Sequence, residues 1–173
     1  PEMIATAKNL EKAKVDFILI PCNTAHYFLP QLQKSLSVPV VDMIEEVAAE
    51  ILKRFPEVER VGLIATTGSI KSGVYHRIFK KRGLKIITPD EKQQLIVMEA
   101  IYGKEGIKAG EFEKPGQKVI DVAQNLIKKG AQLIVAGCTE ISLILKKEDI
   151  TVPVIDPLEI LARVAVSKAL GPE

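Results

Sequence analysis

The chain repeats itself, and the repeat limits the folds open to it. Laid along itself so that Cys22 falls on Cys138, the sequence also places Ala7, Asn9, Leu10, Lys12 and Ile18 on Ala123, Asn125, Leu126, Lys128 and Ile134. With a slightly shorter connection in the second copy, Val38-Pro39-Val40-Val41-Asp42 falls on Val152-Pro153-Val154-Ile155-Asp156, and Glu45 and Ala48 on Glu159 and Ala162. Apolar positions alone can coincide among parallel strands. Two cysteines, two Val-Pro-Val-x-Asp runs and an asparagine in one order argue for duplication of a single supersecondary unit.

Each copy sets a cysteine just after a short apolar run. Phe17-Ile18-Leu19-Ile20 leads into Pro21-Cys22-Asn23-Thr24-Ala25-His26, and Leu133-Ile134-Val135-Ala136 into Gly137-Cys138-Thr139-Glu140. Short apolar runs bounded by turn residues read as buried strands, and the longer amphipathic stretches between them as helices. Helices are predicted over 3–14, 24–36 (interrupted near its start by Pro30), 44–55, 72–82, 91–103, 116–129, 140–146 and 157–169. Strands are predicted over 17–20, 38–42, 61–65, 85–88, 133–136 and 152–155.

That alternation means a parallel α/β sheet. Combined with the repeat, it predicts two lobes related by a pseudo-twofold axis, each a mostly parallel sheet flanked by helices. The second cysteine strand is preceded by strand, helix, strand and helix from residue 61, the first by a single helix. The first lobe is therefore expected to be incomplete, short of about 50–65 residues. The expected division is 1–57 for the remainder of the first lobe, 58–157 for the second, and 158–173 for a C-terminal helix packing back on the first.

Composition narrows the function. Of 173 residues, 47% are apolar, enough for a sizeable core, and the net charge is only +2. Basic and acidic residues are interspersed and 5% of residues are aromatic, so neither a basic stripe nor a stacking platform for nucleic acid is present. Apolar runs are far too short for a membrane span, and no nucleic-acid or membrane partner is expected. Two cysteines outside any secretory context predict the reducing cytoplasm.

The cysteines carry the chemistry. Strand carboxyl ends are where α/β sheets place their ligands. Duplicated lobes facing a shared cleft present equivalent residues from opposite sides. Stereoinversion needs that arrangement: one group removes a proton from a tetrahedral carbon and another returns it on the far face. A thiol suits the task, because its ordinary pKa of about 8.5 falls at helix starts and lets thiol and thiolate coexist near neutrality. A lone cysteine is more often a small buried hydrophobe; the pairing argues otherwise. A zinc site from Cys22, Cys138, His26 and His76 lacks the short paired spacings such sites show. Neither a G-x-S-x-G elbow nor a phosphate-binding P-loop occurs.

Taken in order, Pro21-Cys22-Asn23-Thr24-Ala25-His26, Ala65-Thr66-Thr67-Gly68-Ser69 and Gly137-Cys138-Thr139-Glu140 resemble the signatures of the aspartate/glutamate racemase superfamily. They are most similar to those of the cofactor-independent aspartate racemases. Glutamate racemases typically carry Gly-Cys-Thr-His at the second site, where Glu140 stands here. Members normally open with a strand and a Gly-rich loop, which belong to the part of the first lobe expected to be missing here.

The resemblance implies an isomerase interconverting L- and D-aspartate by proton transfer at Cα, with Cys22 and Cys138 as the catalytic pair and neither pyridoxal phosphate nor metal. It implies that Asn23, Thr24 and Thr139 bind the amino-acid substrate, although all three are also ordinary helix caps. Thr66, Thr67 and Gly68 would line the same pocket. Lys108 matches a family position contacting the substrate's side-chain carboxylate. Glu140 would face the substrate ammonium or hold back ionisation of Cys138. A homodimer is implied as well.

Other superfamily activities remain open: glutamate, hydantoin or broad-specificity amino-acid racemase, and maleate isomerase. So does a non-catalytic amino-acid-binding fragment. From the residues alone, His26 either tunes Cys22 or sits in the first turn of an exposed helix, and His76 is a surface residue. Asp42 and Asp156 are expected to cap the helices that follow them.

Overall fold

The computed structural model describes residues 2–171. Its helices are α1 (Glu2–Lys12), α2 (Leu29–Gln33), α3 (Met43–Arg54), α4 (Thr67–Lys71), α5 (Val74–Lys81), α6 (Glu91–Tyr102), α7 (Glu113–Lys128), α8 (Thr139–Ile144) and α9 (Pro157–Leu170). The strands β1 (Arg60–Ile64), β2 (Lys85–Ile87), β3 (Leu133–Ala136) and β4 (Val154–Ile155) form a four-stranded sheet in the order β2-β1-β3-β4. Every pairing is parallel, with Val61 opposite Ile86 and Leu133, and Ile134 opposite Val154. The α/β class expected from the alternation is the fold observed.

Period-two alternation splits the strands between two cores. Val61, Leu63, Leu133 and Val135 point to one face, where Ile44, Val47 and Ile51 of α3, Tyr75 and Phe79 of α5, and Ile160 of α9 cover them. Ile64, Ile134 and Ala136 point to the other, against Val97 and Ile101 of α6 and Val119, Val122 and Leu126 of α7. Burial on both faces is why these strands read as unbroken apolar runs.

The repeat is visible at the level of single hydrogen bonds. Ile18 N–H donates to the Pro39 carbonyl at 2.9 Å, and Ile134 N–H donates to the Pro153 carbonyl at 2.9 Å. Asp42 caps α3 by accepting from the amides of Ile44 and Glu45, and Asp156 caps α9 by accepting from that of Leu158.

The first copy is thinner than predicted. Runs 17–20 and 38–42 meet only at one parallel bridge, Ile18 to Val40. An isolated strand pair has little to hold it. Here the side chain of Gln33 substitutes for a neighbouring strand, accepting from Val40 N–H at 2.7 Å and donating to the Val38 carbonyl at 3.1 Å. Ala7, Ile18, Leu32 and Val40 form a small core around the bridge. Phe17 and Leu19 pack with Leu158, Leu161 and Val164 of α9, tying the bridge segment to the last helix.

Three helix boundaries differ from the periodicity. The stretch over 24–36 is a 3₁₀ turn, Thr24–Phe28, followed by α2, because Pro30 lacks an N–H and restarts the helix in its own first turn. The helix predicted over 72–82 begins earlier as α4 and breaks at Gly73, whose left-handed φ of +66° favours glycine, before resuming as α5. Helix α7 starts at Glu113, since Pro115 is tolerated in a first turn. Pro1 and residues 172 and 173, which the expected segments 1–57 and 158–173 include, lie outside the described residues. Among the described residues, no helix is long and apolar enough to cross a membrane.

Candidate active site

Cys138 reaches its position because β3 ends in a glycine. A Cβ on Gly137 would lie 2.6 Å from Leu63 Cδ1 and 3.0 Å from Ala65 Cβ, so only glycine lets this strand end lie against β1. The thiol then sits at the N-cap of α8, 8% exposed. It donates to Glu140 Oε2 at 2.9 Å, and Thr139 Oγ1 donates to the same oxygen at 2.7 Å. Lys108 Nζ pairs with Glu140 Oε1 at 2.7 Å.

One carboxylate thus gathers three donors. Burial pushes Glu140 up, but the hydrogen bonds from Cys138, Lys108 and Thr139 outweigh it and hold the carboxyl down at about 2. Burial is also the first cause acting on Cys138, and the hydrogen bond to Glu140 adds to it, pushing the thiol up to about 12. Cys138 therefore rests as a thiol. The partnership with Glu140 likewise raises Lys108, whose ammonium stands 5.5 Å from the centre of the Tyr102 ring. Lys108 is carried by a 3₁₀ turn, Ile107–Ala109, closed by Gly110 at a φ of +92°.

Cys22 is exposed, on the turn after the bridge segment. His26 fastens that turn. Its Nδ1 bonds the Cys22 carbonyl at 2.9 Å and its Nε2 accepts from Met43 N–H at 3.1 Å, so the proton is on Nδ1. At 1% exposure, His26 is buried between the cysteine turn and the start of α3, not on an exposed helix. Burial follows because α3 folds over the 3₁₀ turn and its first amide needs an acceptor. His76 is exposed, as expected.

The residues after Cys22 reach across to α4 and α5. Thr24 Oγ1 lies 2.6 Å from Ser69 Oγ and 3.2 Å from Thr66 Oγ1, and those two hydroxyls are 3.2 Å apart. Thr66 caps α4 by accepting from Ser69 N–H. A Cβ on Gly68 would stand 3.4 Å from the Thr24 methyl, which fits closely against that glycine. Thr67 donates its amide to Met98 Sδ at 3.3 Å, and its hydroxyl accepts from Gln94 Nε2 at 3.2 Å. The buried Asn23 accepts at Oδ1 from the Tyr75 hydroxyl.

Two clusters result, Cys138–Thr139–Glu140–Lys108 and the Asn23–Thr24–Thr66–Ser69 group beside Cys22. They lie side by side, because β1 and β3 are paired with Ile64 opposite Ala136, so the Thr66 turn that Thr24 bonds and the Cys138 turn leave adjacent strand ends. Burial pushes the Tyr75 hydroxyl up, and the carboxylates of Asp156 and Asp42, one from each repeat, add to it. Three participants were not singled out from the sequence. Ser69 stood in the Ala-Thr-Thr-Gly-Ser turn without a mark of its own. Tyr75 and Gln94 lie on helices whose periodicity says nothing of where a polar tip ends.

Residues 1–165 match the sequence profile described as Asp/Glu/hydantoin racemase. The chain belongs to that family. It is 31% identical over 169 residues to the broad-specificity amino-acid racemase of Bacillus subtilis, covering 98% of this chain and 71% of that one. It is 32% identical over 140 residues to the glutamate racemase of Aquifex pyrophilus, covering 80% of this chain and 51% of the relative. Among solved structures, an aspartate racemase homologue from Pyrococcus horikoshii superposes with a TM-score of 0.80 at 28% identity over 96% of this chain and 72% of the other. The Picrophilus torridus aspartate racemase superposes with a TM-score of 0.76 at 26% identity, covering 96% and 67%. The racemase family places the chain among isomerases.

Proposed function

We propose that the chain supplies the proton-transfer machinery of a cofactor-independent aspartate racemase. The observation that carries this reading is the difference between the two repeated thiols. Cys138 is buried, held as the acid by Glu140, whereas Cys22 is exposed on the equivalent turn, whose Thr24 bonds the Thr66 turn beside the Cys138 strand end.

With aspartate's Cα between them, Cys22 as thiolate takes the α-proton from one face and Cys138 gives its proton to the other. Cys22 ends as thiol and Cys138 as thiolate. The opposite enantiomer runs the same transfer backwards, so no proton is gained or lost overall. Asn23, Thr24 and Thr139, with the turn at Thr66, Thr67 and Gly68, hold the α-carboxylate and α-amino group. Lys108 meets the side-chain carboxylate in exchange for Glu140. The protein works in the cytoplasm as a homodimer on a free amino acid; both cysteines are unbridged, which suits a reducing compartment.

The aspartate racemase structures support aspartate as substrate. A broader range is the second reading, favoured by the Bacillus subtilis relative, whose match spans nearly the whole chain. Incubation in D2O with L- or D-aspartate should place deuterium at Cα without added pyridoxal phosphate. Exchange into alanine and other neutral amino acids at comparable rates would favour the second reading. Absence of exchange with every amino acid would overturn both.

A further inference from the structure

Tyr75 is a phenol in a place that packing alone does not explain. It is 0% exposed, in the core between α3 and the sheet, with its ring edge-on to Phe79 at 5.5 Å between centroids. A phenylalanine would fill the same volume. The hydroxyl instead reaches out of α5 to Asn23, the residue after Cys22, and bonds its Oδ1.

The direction of that bond follows from burial. A hydroxyl proton sealed away from water without an acceptor is strongly disfavoured. Among the described residues Asn23 is the hydroxyl's hydrogen-bond partner, so the phenol donates and the amide must offer oxygen. The amide is planar; with Oδ1 turned to Tyr75, Nδ2 is directed away from that hydroxyl. Asn23 is itself 4% exposed, yet Nδ2 has no hydrogen-bond partner among the described residues and is not among the fully buried atoms that lack one. That nitrogen therefore keeps some exposure and, among the described residues, remains free to donate. Thr24, the next residue, is likewise tied to α4 through Ser69 at 2.6 Å.

We propose that Tyr75 is a positioning residue for substrate: it locks the Asn23 amide in the one orientation that aims an N–H at the substrate's α-carboxylate next to Cys22. This rests on the amino-acid racemase reading above. Without the phenol the amide can turn Oδ1 toward the carboxylate, where two oxygens repel. Tyr75 touches no reacting atom, so its effect falls on binding more than on proton transfer. Because the bond joins the Cys22 turn to α5, it also fixes the binding donor to a helix packed against the sheet.

The test is a double-mutant cycle on aspartate, with Tyr75→Phe, Asn23→Ala and the pair, reading Kd by calorimetry and kcat and KM by Cα deuterium exchange. Tyr75→Phe should weaken Kd and raise KM about tenfold, one directed hydrogen bond's worth, and leave kcat within about threefold. In the Asn23→Ala background the same substitution should change neither, since the residue it acts through is gone. A Tyr75→Phe protein that binds aspartate as the wild type does would overturn the assignment. So would a loss of affinity as large in the Asn23→Ala background as in the wild type, or an equal fall in kcat and kcat/KM, which marks an interaction made only in the transition state. A wild-type protein that exchanges other amino acids but neither binds nor exchanges aspartate removes aspartate as substrate; the cycle is then read on the amino acid that exchanges. Wild-type protein that exchanges none overturns the racemase reading and this assignment with it.

Discussion

At the scale of single residues, Glu140 decides the proton inventory. Its carboxylate accepts from the Cys138 thiol, the Thr139 hydroxyl and the Lys108 ammonium, and so keeps a proton on the buried thiol. With iodoacetamide at about pH 8, alkylation followed by peptide mass spectrometry should therefore find Cys22 modified first and Cys138 slow. Glu140→Gln removes the charge that helps hold the Cys138 proton. It should speed alkylation of Cys138 by roughly tenfold for each unit its pKa falls, with Cys22 unaffected. Equal reactivity of the two thiols in the wild type would contradict the assigned roles.

The same residue makes stability depend on pH. Its folded value of about 2 lies below its ordinary 4.5, so the native state favours the carboxylate. The stabilisation is complete above 4.5 and disappears as pH falls through 2. Thermal melts of Glu140→Gln should lack the part of the acid-side decline that the wild type shows across that window. The two thiols were legible because the repeat pairs them. The burial of His26 and the reach of Tyr75 were not, because each depends on a partner far along the chain, Met43 for one and Asn23 for the other.

At the scale of elements, the aspartates that close the repeated Val-Pro-Val-x-Asp runs turn strand ends into helix starts. Asp156 accepts from Leu158 N–H at 2.8 Å and from Ser142 Oγ at 2.8 Å, so it caps α9 and holds α8 beside it. Asp156→Ala should cost about 1–2 kcal/mol in urea unfolding, more than Asp42→Ala, whose carboxylate has the α3 amides alone. A smaller loss at Asp156 would show that its bond to Ser142 carries little. The capping role was readable from sequence, since aspartate just before an amphipathic stretch has few other uses. The split of 24–36 was half readable: Pro30 announced an interruption, but the 3₁₀ form of the first piece comes from His26 docking under α3, a tertiary contact.

For the whole molecule, alternation of apolar runs with amphipathic helices was enough to name a parallel α/β sheet, and the observed order β2-β1-β3-β4 is one such sheet. The single Ile18–Val40 bridge was beyond reach, because runs of equal hydrophobicity become strands only where neighbours exist to pair with them. The repeat places one thiol at each of two equivalent turns, and the racemase reading needs both. The most direct test is racemisation of aspartate, followed by circular dichroism, in Cys22→Ala and Cys138→Ala proteins. Each substitution should abolish interconversion from either enantiomer while leaving the melting temperature near that of the wild type. Turnover surviving in either variant would contradict a mechanism that passes a proton between two thiols.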